Sequence, residues 1–332
     1  MNATTLTSTT HHPIPFRGRT TVLTLVVPGA IIAATLATAW AWRGSMPDPI
    51  AVHWGTNGPD GFGSFASNVV WPEGVAAVSA VLLWALGFFA GRQSAVRRSA
   101  AGIAVWMATL MSGVDYSVMR LQRGLTDAHD AGSLSGPIAF VFLGAAAAAV
   151  GAALLSPADP PLATTLPVPP TAARVTLRPG ESATWVRDVT ARGYSSAIVA
   201  VVAGIAVLGL VTRVWGLAVI AGLVIGLTLV VFLHWTVTVD EGGLAVRTAL
   251  GRPRFVIPLN EVEMAEVVQV RPLPEFGGWG IRAGKGGRVG VIIAKGPALQ
   301  VRRTGGRVFL VTVDDAETGA ALLNTLAARA RR

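Results

Sequence analysis

The feature that most constrains the fold of this chain is a set of long apolar runs without Asp, Glu, Lys or Arg. They occupy residues 20–42, 74–91, 99–114, 131–158, 193–212 and 214–239. A membrane-crossing helix needs about 20 largely apolar residues, and the third run reaches that length if Asp115 is tolerated near its end. A composition of 52% hydrophobic and only 14% charged residues is far from that of soluble proteins. We therefore predict a membrane all-α bundle of about six transmembrane helices.

Four of these helices are predicted in a membrane domain over residues 20–156, and two more in a transmembrane helical hairpin over 195–234. Arginines predict the orientation, because positive residues are retained on the cytoplasmic side. They precede the first run, separate the second from the third, and lie between the fourth and fifth: Arg17, Arg19, Arg92, Arg97, Arg98, Arg174, Arg178, Arg187 and Arg192. We expect a multi-pass plasma-membrane protein with both termini cytoplasmic, a disordered tail over 1–19 and an outer loop over 43–72.

The formal net charge of +9 is therefore interpreted as an orientation signal, and no nucleic-acid partner is predicted. Dense Pro and Ala after the fourth run predict an extended cytoplasmic linker, which with an alternating stretch that resembles a hairpin occupies 157–194. From Trp235 onward apolar residues alternate between turn signals, and residues 262–270 fit either a strand or a helix. Asp314 or Asp315 then begins an apolar-periodic helix that ends in arginines. This pattern predicts a cytoplasmic β-barrel or sandwich with one C-terminal helix over 235–332.

About seven short strands closed by one helix resemble a pleckstrin-homology-like barrel over residues 235–328. The segment from Gly277 to Arg282, GGWGIR, is similar to a glycine-tryptophan loop in bacterial members of that group attached to membrane hairpins. The resemblance implies a docking module whose basic side chains lie against anionic lipid. The candidates for such contacts are Arg247, Arg252, Arg254, Arg302, Arg303 and Arg307. The alternative is that these arginines are solvated strand faces and inner-side retention charges.

The polar stretch between the first two runs, MPDPIAVHWGTNGPDGFGS, covers residues 46–64. Its prolines end a helix, and its Asn-Gly and Asp-Gly pairs are strong turn formers. The stretch resembles the extracytoplasmic signature of a domain of unknown function that opens SdpI-type bacterial immunity and signalling membrane proteins. The resemblance covers about residues 20–156 and implies a shared architecture.

Two interpretations of this loop stay open. In the first, it is a folded cap that seals the outer ends of the spans. In the second, it is a recognition surface for an extracellular peptide or lipid, with His53 and Asp60 as polar anchors beside Trp54, Asn57 and Phe62. No second histidine follows at ligand spacing, so no metal site and no cofactor are predicted.

Asp115 is the intramembrane polar candidate, because an acid inside a span is costly and often functional. Its carboxylate either reaches the outer interface beside Tyr116 or faces the bundle and pairs with His53 or Arg213. No paired intramembrane carboxylates, nucleophile motif, zinc motif or phosphate-binding loop is recognised, so no enzymatic activity is predicted.

The leading functional hypothesis is a membrane protein that binds an extracytoplasmic or lipid ligand and couples it to the cytoplasmic docking domain, in a signalling or immunity-like role. The alternative is a small-solute or ion transporter, or a permease accessory subunit, that uses Asp115. The partners expected are the lipid bilayer and an extracellular peptide or membrane protein. A G-x-x-x-G match from Gly222 to Gly226 is a weak signal for a homo-oligomer.

Overall fold

The computed structural model describes residues 13–55, 57–190, 199, 202–207, 209, 222, 234–251 and 253–331. The tail over 1–12, most of the predicted hairpin over 195–234, Arg213 and Arg252 therefore lie outside the described residues. The chain divides into two compact units. A helical unit spans Ile14–Asp159, and a sheet-rich unit begins at Pro160.

Four long helices build the helical unit: α1 Arg17–Ser45, α2 Phe65–Ala90, α3 Ser94–Gln122 and α4 Ser135–Leu155. Within the described residues, α1, α2 and α4 are long and apolar enough to cross a membrane. The remaining helix, α3, carries Arg97, Arg98, Asp115 and Arg120, which lower its mean hydropathy. Apolar helices in the N-terminal region suggest a membrane protein, as the composition indicated.

The helix α3 packs through small residues. Ala100, Ala104 and Ala108 are fully buried along its length. A Cβ added at Gly113 would lie 2.7 Å from the side chain of Val141 on α4. Small side chains let helix backbones approach closely, so this face is specialised for helix packing.

A two-stranded antiparallel hairpin joins α1 to α2, with β1 at Ile50–Gly55 and β2 at Gly58–Gly63. The connection is shorter than the loop expected over 43–72, because the helices on both sides extend into it. The second helix starts at Phe65, where the Ser64 hydroxyl accepts a hydrogen bond from the backbone N–H of Ser67 at 3.2 Å. As a result Pro72 and Glu73 lie inside α2.

Two sheets form the sheet-rich unit. The first is antiparallel in chain order: β3 Trp185–Thr190, β4 His234–Asp240, β5 Gly243–Thr248 and β6 Arg254–Ile257. The second has the order β7-β10-β11-β9-β8, with β9 and β11 parallel: β7 Val262–Val270, β8 Gly280–Ala283, β9 Arg288–Ile292, β10 Gly296–Arg303 and β11 Arg307–Thr312. A short helix, α5, spans Pro272–Phe276, and the final helix, α6, spans Ala316–Arg329.

One apolar core joins both sheets to α6. Trp235 from β4 and Leu323 from α6 are fully buried, and Phe309 from β11 is nearly so. Residues 262–270, which the sequence left open, form a strand. The prediction of a sheet-rich C-terminal region with a final helix is confirmed. Asp315 stands at the N-cap of α6, but its carboxylate accepts from the side chains of Thr318, Trp185 and Arg187 and makes no capping bond to the backbone.

The segment expected to be a cytoplasmic linker over 157–194 belongs to the sheet-rich unit from Pro160 onward. The Thr304 hydroxyl donates to the Leu162 carbonyl, and the Thr164 N–H donates to the Asn260 carbonyl at 2.7 Å. In place of the hairpin that the alternation resembled, β3 pairs with β4. Alternation along the sequence cannot identify this partner, because it follows the long apolar segment.

Candidate functional site

The hairpin is fixed to the end of α3 by one buried amide. The Gln122 side chain accepts from the Ala51 N–H at 2.6 Å and donates to the Ala51 carbonyl at 2.9 Å. Ala51, Ile50 and Gln122 are almost completely buried. The backbone of β1 thus pairs with β2 on one edge and with a helix side chain at Ala51. We call this end of the helical unit the hairpin end.

His53 and Asp60, the two predicted polar anchors, lie together on the exposed face of the hairpin. His53 Nδ1 is 2.5 Å from Asp60 Oδ1, and the two side chains are 71% and 54% exposed. Glycines make room for this pair. A Cβ at Gly55 would lie 2.3 Å from Asp60 Oδ2, and one at Gly61 would lie 2.8 Å from His53 Cβ.

The other predicted loop residues connect the hairpin to the segment before α4. The Trp54 indole donates to the Gly132 carbonyl at 2.9 Å, and the Phe62 ring centroid lies 4.3 Å from that of His129. Hydrogen bonds from the backbone N–H and then the ring of His129 hold the pKa of Asp127 below its ordinary value. Asn57 is exposed in the turn and does not join these contacts in the described residues. The hairpin therefore has a fixed shape with one exposed polar pair.

Asp115 is 2% exposed, so it faces the interior of the helical unit and does not reach the surface beside Tyr116. It does not pair with His53, whose partner is Asp60. A second buried acid of the helical unit is Glu73 of α2. It is also 2% exposed, and the sequence analysis did not single it out. Ser112, one turn before Asp115 on α3, donates to Glu73 Oε2 at 3.0 Å. Because Ser112 and Asp115 are three residues apart on α3, Asp115 lies on the side of the helix that faces Glu73.

The structure therefore adds a second buried acid in the helical unit, on α2, that the sequence analysis did not weigh beside Asp115. In the sequence the apolar run was counted from residue 74, so Glu73 fell just outside it. In the structure α2 begins at Phe65, eight residues before Glu73. The signal that could have revealed this is Ser64, a good N-cap residue before the apolar-rich segment. Counting from Phe65, the first helical residue after this N-cap, places Glu73 about 12 Å inside the helix.

The carboxylate pair lies between two apolar layers of the helical unit. Toward the hairpin end, Ala39, Val69 and Met119 form one cluster. Away from it, Ile32, Ala76 and Ala108 form another. The atoms Glu73 Oε1 and Asp115 Oδ2 are buried without a hydrogen-bond partner among the described residues.

Comparison with known proteins assigns one part of this architecture. A family model described as "Domain of unknown function (DUF1648)" matches residues 30–72. The match includes the later part of α1, the whole hairpin and the start of α2, and it agrees with the N-terminal domain expected from the loop signature. No curated protein and no solved structure matches the chain.

Two of the six predicted lipid-facing arginines are buried in the sheet-rich unit. Arg303 and Arg307 both contact Glu261 Oε2, at 2.5 and 3.2 Å, and their side chains are 10% and 3% exposed. These two cannot lie against lipid, because they form an internal ion network. Arg302 is half exposed and pairs with Glu266 at 2.9 Å.

Arg247 and Arg254 are exposed and stand directly opposite each other on β5 and β6. In the described residues neither makes an ion pair. Like charges directly opposite in a sheet repel each other, so this pair of guanidinium groups is suited to an external anion. Arg252 of the same turn lies outside the described residues.

The turn between β5 and β6 lies at the same end of the sheet as Thr190 and His234. Thr190 is paired with His234 across β3 and β4, and the Ala249 N–H donates to the His234 carbonyl at 3.2 Å. Leu250, the next residue, is 59% exposed. An apolar tip and two arginines thus lie beside the strand ends where the chain enters and leaves the apolar segment 191–233.

The glycine-tryptophan motif lies elsewhere, between α5 and β8. Gly277 ends α5 with a φ of 68°, and the Arg282 guanidinium donates to the Trp279 carbonyl at 2.7 Å. Trp279 is 39% exposed. Hydrogen bonding from the backbone N–H of Arg271, followed by the contact with Arg288, holds the pKa of Glu275 below its ordinary value. The motif is therefore a compact local turn.

Proposed function

We propose that this chain is a non-enzymatic, multi-pass plasma-membrane protein that binds an extracytoplasmic or lipid ligand and couples it to a cytoplasmic docking domain. The observation that carries the proposal is the pairing of Thr190 with His234. The segment 191–233 connects these two paired residues. Between positions 193 and 233, Arg213 is its only charged residue. A segment with these properties suits a path into the membrane and back. The docking domain is then built directly on the base of a membrane hairpin.

In this proposal the chain crosses the membrane about six times, with both termini in the cytoplasm. The sheet-rich unit serves as a pleckstrin-homology-like module. A four-stranded meander, the antiparallel set β7-β10-β11 and the final helix support that resemblance, with β8 and β9 inserted between β7 and β10 in the sequence. The hairpin then lies outside the cell, as in SdpI-type proteins.

The docking surface of the module is the corner formed by Leu250, Arg247 and Arg254. Leu250 inserts among lipid chains or headgroups, while the two arginines bind anionic headgroups. Each near-surface positive charge contributes about 1 kcal/mol at an anionic membrane. Because the corner adjoins Thr190 and His234, a movement of the membrane segment is transmitted directly to β3 and β4.

On the other side of the membrane, the recognition surface is the exposed His53–Asp60 pair. A histidine hydrogen-bonded to a carboxylate offers both a donor and an acceptor to a peptide or lipid headgroup. The attachment of the hairpin through Gln122 makes its position depend on α3. Ligand binding at the hairpin is therefore coupled to the helices below it.

The docking corner can be tested by site-specific labelling, because the chain has no cysteine. Leu250→Cys is labelled with an environment-sensitive fluorophore in the full chain, in nanodiscs that contain spin-labelled lipid. We expect lipid quenching at position 250. The matched position is Glu241→Cys, in the turn at the opposite end of β4 and β5, where we expect no quenching. Quenching that is absent at 250, or equal at both positions, contradicts the docking corner.

The role of the arginines is tested in the same assay by varying the anionic lipid content. In the variant Arg247→Gln/Arg254→Gln, quenching at position 250 should lose its dependence on anionic lipid and on salt. The control variant Arg271→Gln/Arg282→Gln removes two charges from elsewhere in the same unit and should keep both dependences.

The second candidate function is a small-solute or ion transporter, or a permease accessory subunit. The Glu73–Asp115 pair favours it, since buried ionisable residues in membrane bundles commonly mark ion pathways. Asp115→Asn and Glu73→Gln should then abolish solute-dependent ion flux in proteoliposomes, whereas Asp130→Asn, an exposed acid near the hairpin, should not.

A further inference from the structure

The polar layer inside the helical unit has a chemistry that the docking role does not use. Glu73 of α2 accepts a hydrogen bond from Ser112 of α3, and Asp115 lies one turn after Ser112 on the same helix. Both residues are only 2% exposed to solvent. The apolar clusters on either side separate the layer from the hairpin and from the opposite end of the unit.

The charged groups of the four helices do not compensate this pair. Away from the helix ends, the titratable residues of α1, α2 and α4 consist of Glu73 alone. On α3, Arg97 and Arg98 lie near the opposite end, with Arg97 bound to Asp159 at 3.2 Å. Tyr116 and Arg120 of α3 are exposed. Within the described residues no cation contacts either carboxylate.

The hydrogen bonds also leave the pair incomplete. Ser112 has one hydroxyl proton, and it donates that proton to Glu73 Oε2. Glu73 Oε1 and Asp115 Oδ2 remain buried without a partner in the described part of the chain. The hydroxyl oxygen of Thr109, one turn from Ser112, is buried without a partner as well. These three buried oxygens can each accept a hydrogen bond or coordinate a cation, and the Thr109 oxygen adds a neutral ligand to the two acids.

Two buried carboxylates on facing helices, one turn apart through Ser112, cannot both be ionised without a compensating charge, because desolvation and mutual repulsion both oppose it. We propose that Glu73 and Asp115 together bind one positive charge, supplied by a proton or by a small alkali cation such as Na⁺, so that the helical unit contains a monovalent cation site. Carboxylate and hydroxyl oxygens are the ligands that such cations require. A divalent metal fits less well, since no group of three or more His, Cys, Asp or Glu side chains exists among the described residues.

The site is connected to the hairpin through one helix. Asp115 and Gln122 are seven residues apart on α3, which is two turns and the same helix face. Gln122 holds the Ala51 backbone of the hairpin. A change in the occupancy of the cation site therefore acts on the helix that positions the exposed hairpin. The inference depends on the helical unit alone and holds whether or not the chain transports a solute.

Whether Na⁺ supplies the positive charge is tested by thermal unfolding of the full chain in nanodiscs. The unfolding midpoint is measured in NaCl and in N-methylglucamine chloride of equal ionic strength. If Na⁺ occupies the site, the wild-type midpoint rises by several degrees in sodium, and this rise disappears in Glu73→Gln and Asp115→Asn. The matched variant Asp130→Asn should keep the rise.

The proton source is tested by infrared spectroscopy of the same protein at neutral pH in sodium-free buffer. If a proton occupies the site, the wild type has the C=O band of a protonated carboxyl group. This band should be absent in Glu73→Gln/Asp115→Asn and present in Asp130→Asn.

The wild-type measurements decide the proposal even if a variant fails to fold. A sodium-dependent midpoint that the two substitutions remove supports the alkali cation, and a protonated carboxyl band supports the proton. If the wild type has neither a sodium-dependent midpoint nor a protonated carboxyl band, neither a proton nor sodium occupies the site and the proposal is wrong. Because neither assay measures flux, a failed transport experiment and an empty site are separate results.

Discussion

The two units of this protein treat buried charge in opposite ways. In the sheet-rich unit, Glu261 is 5% exposed and contacts two buried guanidinium groups, Arg303 and Arg307. In the helical unit, Glu73 and Asp115 are each 2% exposed, Ser112 donates to Glu73, and no cation contacts either acid in the described residues. The first arrangement satisfies its charges internally. The second contains no compensating charge among the residues that the structure describes.

This difference separates a structural network from a candidate site. The network around Glu261 also holds the start of the unit in place, since Arg307 binds the Thr304 carbonyl and Thr304 donates to Leu162. Its charges are explained by the fold itself. The carboxylate pair has no compensating partner among the described residues, which is why we proposed it as a cation site.

The largest expected effect is on the compensated network. Glu261→Gln removes the only carboxylate shared by the two arginines in the described structure and should destabilise the sheet-rich unit by about 3–5 kcal/mol, because both guanidinium groups stay buried. Hydrogen exchange of β10 and β11 in the full chain measures this loss. The control Glu266→Gln breaks the half-exposed pair with Arg302 and should cost at most about 1 kcal/mol. Equal losses of stability in the two variants would mean that the buried network of Glu261 stabilises the unit no more than the half-exposed pair does.

The second effect concerns the attachment of the hairpin to the helical unit. Gln122→Ala leaves the buried N–H and carbonyl of Ala51 without partners, which should cost about 1–3 kcal/mol for each group. We expect faster hydrogen exchange at residues 50–63 and new protease cleavage in the hairpin. Arg120→Ala, an exposed change on the same helix, should leave both unchanged. A hairpin that stays protected in Gln122→Ala would mean that the contacts of Trp54 and Phe62 suffice.

The third prediction is that removing a carboxylate from the helical unit does not lower the free energy of unfolding, unlike Glu261→Gln in the sheet-rich unit. Removing one carboxylate from the helical unit, by Glu73→Gln or Asp115→Asn, relieves repulsion and keeps the shape of the side chain. The free energy of unfolding in sodium-free buffer should stay within about 1 kcal/mol of the wild type or increase. A loss as large as that of Glu261→Gln would show that the pair is a structural network too.

The smallest effect is a pH dependence at the start of α6. Hydrogen bonds from Thr318 and then Trp185, together with Arg187, hold the pKa of Asp315 below its ordinary value near 3.8. The carboxylate therefore contributes stability above pH 4, and this contribution is lost as the pH falls through the lower pKa of the folded chain. The difference in unfolding free energy between wild type and Asp315→Asn should be constant above about pH 5 and shrink in stronger acid. A difference that does not change with pH would contradict the role of the ionised carboxylate.

Much of the local structure follows from the sequence. Turn pairs around Gly58 and Gly61 predict a compact connection, and the structure has a hairpin there whose glycines leave room for His53 and Asp60. Alternation after Trp235 predicts strands, and an apolar period after Asp315 predicts the last helix. Each of these signals is local, because turn chemistry and side-chain period act over a few residues.

The candidate sites depend on contacts between distant residues. Glu73 and Asp115 are 42 positions apart in the sequence, and an acid at the edge of an apolar run does not indicate which helix face it lies on. The same limit applies to Arg303 and Arg307, which share the arginine type of Arg247 and Arg254 but are buried by β7 and by the segment after Pro160.

By itself, the sequence determined the apolar helical region, the compact turn-rich connection after the first helix and the strand-rich C-terminal region with its final helix. Each of these elements is specified by the order of apolar, polar and turn-forming residues along a short stretch of chain. Only the tertiary structure decided that β3 joins the sheet beyond the apolar segment, that two arginines are internal, and that two acids share one buried layer. These outcomes depend on which surfaces pack together, because burial converts an ordinary surface charge into one that needs a partner.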